Sequence, residues 1–120
     1  IMGMYYKVSK GYFDEDKRSE ALTWALKAYS LFKNSKPPIY SEVIELAGIL
    51  IDLGENEKGK ELLERSAKVV YDDYKNPSVV KANVDRSMAE YLLRQIREML
   101  RDKDLESKVV DEIEMRFNKK

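Results

Sequence analysis

Carboxylates are the side chains of this sequence best suited to chemistry, and three pairs of them lie close together in the chain. The pairs are Asp72 with Asp73, Asp102 with Asp104, and Asp111 with Glu112. General acid–base catalysis needs one carboxyl group that is buried enough for its pKa to rise. All three pairs fall on polar helix faces or in loops, so we interpret them as solvated surface groups.

Metal binding and nucleophilic catalysis are limited by what the chain lacks. Its 120 residues include neither histidine nor cysteine. Thiolate sites, disulfides and the usual general base of neutral pH are therefore excluded. Glu42 and Glu45 lie on the most apolar predicted helix, but a carboxylate metal site would need facing acids from a second helix, and no Glu-x-x-His pattern occurs. The sequence predicts no enzyme activity, no metal and no cofactor.

A strip of arginines offers the main alternative to a protein-binding role. Arg94, Arg97 and Arg101 recur at helical spacing and could hold phosphates or an acidic peptide. Glu90 and Glu98 interrupt the strip, and 22 basic residues balance 22 acidic ones, so no overall field attracts nucleic acid or an anionic membrane. We favour a salt-bridged surface that serves as a secondary partner-binding patch, and nucleic-acid binding is the disfavoured alternative.

The elements that carry these residues are predicted to be helices throughout. Apolar residues recur at helical spacing, and no segment alternates with a period of two over a useful length. The fold class is therefore all-α, with about five helices stacked as antiparallel hairpins. The single domain, 1–120, divides into an N-terminal arm, a first helix, a central hairpin and a C-terminal helical pair, at 1–13, 14–34, 38–75 and 77–118.

Polar residues and one glycine are predicted to mark where these helices begin and end. We expect Asp14-Glu15-Asp16 to cap the first helix, Asn56 to cap the second helix of the hairpin, and Asp104 to cap the last helix. Gly54 is placed to close the helix before it in a left-handed conformation. The third long helix is predicted to run from about Pro77 to Arg101.

The central hairpin carries a characteristic spacing of apolar and small residues. A large residue and a Leu-small pair precede a turn glycine, and small residues follow it, at Val43, Leu46, Ala47, Leu50, Gly54, Gly59, Leu63 and Ser66. This spacing resembles the tetratricopeptide repeat, although Tyr71 stands where that family has a proline. The resemblance implies a right-handed array of hairpins and a protein-interaction scaffold without chemistry of its own. The segment from Tyr40 to Arg101 is similar, less closely, to the microtubule-interacting-and-transport module, which binds helical peptide tails.

The tetratricopeptide resemblance also implies where a partner would bind. On the concave side of the central helix lie Ile44, Gly48, Ile51 and Asp52. The helix from Tyr40 to Leu53 is apolar almost all round, so it must be covered on several sides. The last helices either cover the concave face in a closed bundle or leave an apolar groove. We expect partial covering, and a non-catalytic domain that binds a partner helix, a peptide or a second copy of the chain.

Composition also bears on the cellular location and the source of the protein. No apolar run approaches the roughly 20 residues that a membrane-spanning helix needs, so we expect a cytoplasmic protein without a membrane partner. Charged residues make up 37% of the chain, above the usual share of about 25%, and glutamine occurs only at position 95. This balance favours a thermophilic source, because networks of charges are favoured at high temperature.

Overall fold

Six helices account for most of the described chain. The computed structural model describes residues 2–32, 40–76 and 84–119. The helices are α1 (Met2–Asp14), α2 (Arg18–Phe32), α3 (Tyr40–Asp52), α4 (Asn56–Lys75), α5 (Arg86–Asp102) and α6 (Lys108–Asn118). No strand occurs within the described ranges, which confirms the all-α prediction for them. The described residues form six helices rather than about five because the N-terminal segment is itself a helix.

Packing against α2 explains why the N-terminal segment is helical. Tyr6 and Ser9 are buried, and the Ser9 hydroxyl donates a hydrogen bond of 2.8 Å to the backbone carbonyl of Ala21. Ala25 and Ala28, also on α2, are fully buried. Small side chains at a contact shorten the distance between two packed helices. The contacts that hold α1 in place are therefore tertiary rather than local.

The helices pack as successive pairs around α3. α1 packs mainly against α2, and α3 packs mainly against α4, in both cases across a short turn that makes the pair antiparallel. α4 also contacts α5 and α6, while α3 contacts α1, α2 and α5. Every residue from Val43 to Ile51 except Glu45 is buried. The central helix thus has neighbours on several sides, as its apolar sequence predicts.

The same turn follows α1, α3 and α5. Two residues beyond each helix lies a residue with positive φ, at Asp16 (61°), Gly54 (94°) and Asp104 (57°). The amide that follows each one donates to a carbonyl five residues earlier, over 2.8–2.9 Å. This is the Schellman arrangement, which satisfies the last carbonyls of a helix. The predicted left-handed closure at Gly54 is confirmed, whereas Asp104 closes α5 and does not cap α6.

The predicted caps of α2 and α4 are also wrong. Asp14 is the last residue of α1, so it belongs to the preceding helix, and α2 begins only at Arg18. Asn56 is the first residue inside α4, and Glu55 before it makes no side-chain capping hydrogen bond. The error at Asp14 has a simple cause. An acidic or amide side chain between two helices can end the first as readily as it can begin the second.

The caps of the last two helices lie where the sequence pattern did not single them out. Asp85 caps α5 by accepting a hydrogen bond of 2.8 Å from the amide three residues later. α5 therefore begins at Arg86 and not near Pro77, and residues 77–83 lie outside the described ranges. Ser107 caps α6 in the same way, over 3.1 Å.

Replacing Asp16 or Asp104 with glycine is expected to raise the free energy of unfolding by roughly 0.5–1 kcal/mol, because glycine adopts positive φ without a clash of its Cβ. Asp14→Gly is the control. Asp14 is helical, so the same change there is expected to lower stability by a similar amount. Urea denaturation measures all three variants. Destabilisation by both Asp16→Gly and Asp104→Gly would contradict the left-handed turns.

Tyrosine hydroxyls join the helices through hydrogen bonds to carboxylates. The three bonds link α1 to α3, α2 to α4 and α3 to α4, through Tyr6 with Glu45, Tyr29 with Glu61, and Tyr40 with Asp73. Hydrogen bonds to an ionised acceptor are stronger than neutral ones. The bond to Glu61, together with burial, raises the pKa of Tyr29 to about 12. Burial and the bond to Asp73 raise the pKa of Tyr40 above its usual range.

Stability is therefore expected to fall as the pH rises above about 10, where unfolded tyrosines ionise. Native Tyr29 keeps its proton up to a pKa of about 12, so in this window the unfolded chain binds fewer protons and the free energy of unfolding decreases with pH. The contribution is complete below pH 10 and is lost as the pH approaches 12. Denaturation at several alkaline pH values measures the slope, which Tyr29→Phe with Tyr40→Phe should flatten. An unchanged slope in this double variant would refute the assignment.

Candidate functional site

A groove runs along α3 between α1 and α5, and we refer to it as the α3 groove. Its first part has a volume of 220 Å³ and is lined by Lys10, Phe13, Asp14, Glu45, Gly48, Ile49, Asp52, Met99 and Lys103. Its second part has a volume of 260 Å³ and is lined by Ser41, Ile44, Glu45, Gln95, Glu98, Met99 and Asp102. Glu45 and Met99 line both parts, so the two depressions are neighbours along α3.

Gly48 leaves room at the floor of the groove for the end of the Met99 side chain. A Cβ atom at this position would lie 3.0 Å from both the Sδ and the Cε atoms of Met99. The end of the Met99 side chain therefore lies directly over the backbone of α3. A methionine side chain is flexible and polarisable, and it adapts to differently shaped partners. The wall that α5 contributes is thus apolar and adjustable at its centre.

The structure places the predicted groove residues in two different environments. Ile44 and Gly48 line the α3 groove, although Ile44 is only 4% exposed. Ile51 does not belong to this face. It packs against α4, where a Cβ on Gly59 would lie only 2.5 Å from the Cγ1 atom of Ile51. Ile51 lies three residues after Gly48, about 60° around the helix axis, at the side of α3 that faces α4.

Asp52 lies at one end of the α3 groove, where three helices meet. Its carboxylate accepts a hydrogen bond of 2.5 Å from the ammonium group of Lys103, the residue that follows α5. Its backbone carbonyl accepts a hydrogen bond of 2.6 Å from the guanidinium of Arg18 at the start of α2. Ion pairs at a surface contribute at most about 1 kcal/mol. We therefore interpret these bonds as fixing the end of the groove more than stabilising the fold.

The arginine strip lies outside the groove. Arg97 points to α6, where its guanidinium donates to Asp111 over 2.5 Å and to Glu114 over 3.0 Å. The hydrogen bond to Glu114 raises the pKa of Arg97, and both ion pairs confirm a salt-bridged surface at this residue. Arg94 and Arg101 are exposed. The structure therefore does not bring the strip together with the residues of the α3 groove.

The carboxylate pairs of the sequence do not form a site either. Five of their six members are exposed, and the sixth, Asp73, accepts the hydrogen bond from Tyr40. Within the described ranges, no group of three or more acidic side chains is placed to bind a metal ion. No helix in the described part of the chain combines the length and the apolar character needed to cross a membrane.

The α1 wall is the part of the groove that sequence reasoning missed. From its sequence the segment could be either an ordered arm or a short helix, and Tyr6, Lys10 and Phe13 recur at helical spacing. Tyr6 donates its hydroxyl to Glu45, and the other two line the groove. Continuing the search for helical periodicity to the first residue would have found α1. The pairing of α1 with α3 has no local signal, because the two helices lie far apart in sequence.

Comparison of the chain with models of protein families, with curated proteins and with solved structures gave no significant match. The tetratricopeptide resemblance therefore stays an interpretation of the residue pattern. The function of the chain is inferred from the shape and chemistry of the α3 groove.

Proposed function

We propose that this chain is a non-catalytic docking module, and that its α3 groove binds a helix or peptide of a partner protein. The observation that supports the proposal most directly is the groove, two neighbouring depressions along α3 with Phe13, Ile44 and Met99 among their apolar lining. A helix docks into such a groove by placing apolar side chains every three to four residues along its floor. The residue pattern of the central hairpin, with its likeness to a protein-binding repeat, supports the same role.

The side chains of the groove support recognition rather than catalysis. Its carboxylates at Glu45, Glu98 and Asp102 are exposed. General acid–base catalysis instead uses a carboxyl group whose pKa is raised by burial or by a neighbouring charge. The chain also has no histidine or cysteine that could act as a base or nucleophile. Exposed carboxylates around an apolar floor are suited to orienting a bound segment.

Nucleic-acid binding through α5 is less well supported. Phosphate recognition needs guanidinium groups that are available to donate hydrogen bonds. Arg97, the central residue of the strip, already donates to Asp111 and Glu114. Arg94 and Arg101 remain exposed, but they flank a guanidinium whose charge is balanced by α6. We therefore prefer the α3 groove as the binding site.

Selection from a displayed library of random peptides about 16 residues long, or four to five helical turns, tests the proposal. Ser41→Trp adds bulk at an exposed position that lines the groove, and Ser30→Trp makes the same change on the exposed face of α2. Peptides enriched on the wild type are expected to bind Ser30→Trp equally and Ser41→Trp at least about tenfold more weakly, a difference of about 1.4 kcal/mol.

Circular dichroism should first establish that both tryptophan variants are folded. Enriched peptides that bind Ser41→Trp as tightly as the wild type would refute the groove as the binding site. A library that yields no peptide dependent on the groove would refute the proposed function.

A further inference from the structure

The α3 groove is acidic in a chain whose formal net charge is zero. Five carboxylates but only two ammonium groups line it. The carboxylates belong to Asp14, Glu45, Asp52, Glu98 and Asp102, and the ammonium groups to Lys10 and Lys103. A cleft lined by charges of one sign attracts ligands of the opposite sign. Its excess of negative charge therefore distinguishes the groove from the chain as a whole.

Several of these carboxylates are free to meet a partner. Asp52 is paired with Lys103, and Glu45 accepts the hydroxyl of Tyr6. Asp14, Glu98 and Asp102 are exposed, and none of them has an ion-pair partner among the residues that the structure describes. They stand on both walls, one on α1 and two on α5. A cationic segment lying in the groove would reach carboxylates on either side.

Gln95 lines the second part of the groove, and one of its side-chain atoms has no hydrogen-bond partner among the described residues. The side-chain amide nitrogen of Gln95 donates to the hydroxyl of Tyr91 over 2.9 Å. The Oε1 atom of Gln95 is buried and accepts no hydrogen bond from any described residue. Leaving a buried polar atom without a partner is costly. Since this oxygen is buried, a segment lying in the groove does not reach it, and the charge preference rests on the carboxylates.

The apolar floor requires that the cationic segment also carry an apolar anchor. Ile44 and Met99 lie next to the carboxylates of Glu98 and Asp102 in the second part of the groove. In the first part of the groove, Phe13 and Ile49 likewise lie next to carboxylates. Phe13 and Met99 are half-buried, so a purely charged peptide would leave their exposed surface in contact with water. The lining therefore calls for apolar side chains with basic side chains around them.

From this lining we infer that the α3 groove selects a basic amphipathic segment of a partner protein, in which lysine or arginine side chains surround an apolar anchor. The inference rests on the proposed function and adds the chemistry of the partner. Basic side chains on the flanks meet the free carboxylates of α1 and α5, and the apolar anchor contacts Ile44 and Met99. Complementary charge of this kind contributes more to specificity and association rate than to affinity.

Three fluorescein-labelled helical peptides of about 16 residues test the inference by fluorescence anisotropy. All three carry leucines along one face, and the remaining positions are lysine in the first, glutamine in the second and glutamate in the third. The lysine peptide is expected to bind about tenfold more tightly than the glutamine peptide, because several exposed ion pairs of modest strength add together. The glutamate peptide should bind more weakly than either. Raising the salt concentration should reduce the preference.

Matched charge-neutralising variants locate the effect in the groove. Glu98→Gln with Asp102→Asn removes two groove charges and should lose most of the preference for the lysine peptide. Glu57→Gln with Glu112→Gln removes two exposed carboxylates on α4 and α6 and should keep it. Equal loss in both double variants would overturn the inference, since the effect would then follow overall charge.

The remaining outcomes separate this inference from the proposed function. A glutamine or glutamate peptide that matches the lysine peptide, yet is displaced by Ser41→Trp, would overturn the charge preference and leave the docking role intact. Failure of all three peptides to bind would also overturn the charge preference, while the library selection decides the docking role by itself. A dimer that Ser41→Trp dissociates and Ser30→Trp does not would make a second copy the occupant and overturn the inference.

Discussion

Substituting Ile51 with glutamate is expected to unfold the chain. Ile51 is 8% exposed and lies against Gly59 of α4. A carboxylate there would lose its hydration, and the apolar contact of the isoleucine with α4 would be lost as well. Removing a buried isoleucine side chain costs about 2–5 kcal/mol, and burying an unpaired charge adds to that loss. Domains of this size are stable by only about 5–15 kcal/mol. Circular dichroism at 25 °C should show the loss of helix.

Met115 provides the control for this substitution. Its side chain is 74% exposed on α6, so Met115→Glu is expected to change the free energy of unfolding by less than about 0.5 kcal/mol. A folded Ile51→Glu variant with a stability near that of Met115→Glu would show that residue 51 lies on a free surface. That result would place Ile51 on the concave face of α3, as the sequence analysis predicted.

Gly59→Ala is expected to lower the free energy of unfolding by about 1–3 kcal/mol, although alanine is the better helix former. The added Cβ atom would lie 2.5 Å from the Cγ1 atom of Ile51 and 2.7 Å from the backbone carbonyl oxygen of Ala47. A carbonyl inside a helix cannot rotate aside, so α3 and α4 would have to separate. Cores packed to crystal-like density do not absorb such a change easily.

The same substitution at Gly11 should have the opposite sign. Gly11 is exposed within α1, and a Cβ atom there would meet nothing within 4 Å. Gly11→Ala is therefore expected to raise stability by roughly 0.5–1 kcal/mol through helix propensity alone. Thermal or urea unfolding of the two variants side by side measures the contrast. Equal effects at the two glycines would contradict the close approach of α3 and α4.

The helical class and the central turn could be predicted from sequence because both have local causes. Period-3.6 patterning is written into each segment, and Gly54 can adopt a positive φ at little cost. The caps were harder to predict, since Asp14 and Asp104 stand between two helices and each was assigned to the wrong one. The sequence does not distinguish a helix from an arm at α1 because its order depends on packing against α2.

The candidate site was predictable only in part, for geometric reasons. Ile44 and Gly48 line the groove, while Ile51, about 60° around the helix axis from Gly48, packs against α4. Alignment to a repeat pattern does not fix the orientation of a helix closely enough to assign a residue at the edge of one face. The contact of Tyr6 with Glu45 joins residues far apart in the chain, and no local pattern records it.

Chemical-shift mapping on the isotopically labelled chain tests the docking role most directly. An unlabelled peptide selected on the wild type is titrated in, and the backbone amide shifts are followed. We predict that the shifts concentrate on residues 10–14 of α1, 41–52 of α3 and 95–103 of α5, which bound the α3 groove. Shifts confined to α6 and to the exposed residues Arg94 and Arg101 would contradict the account.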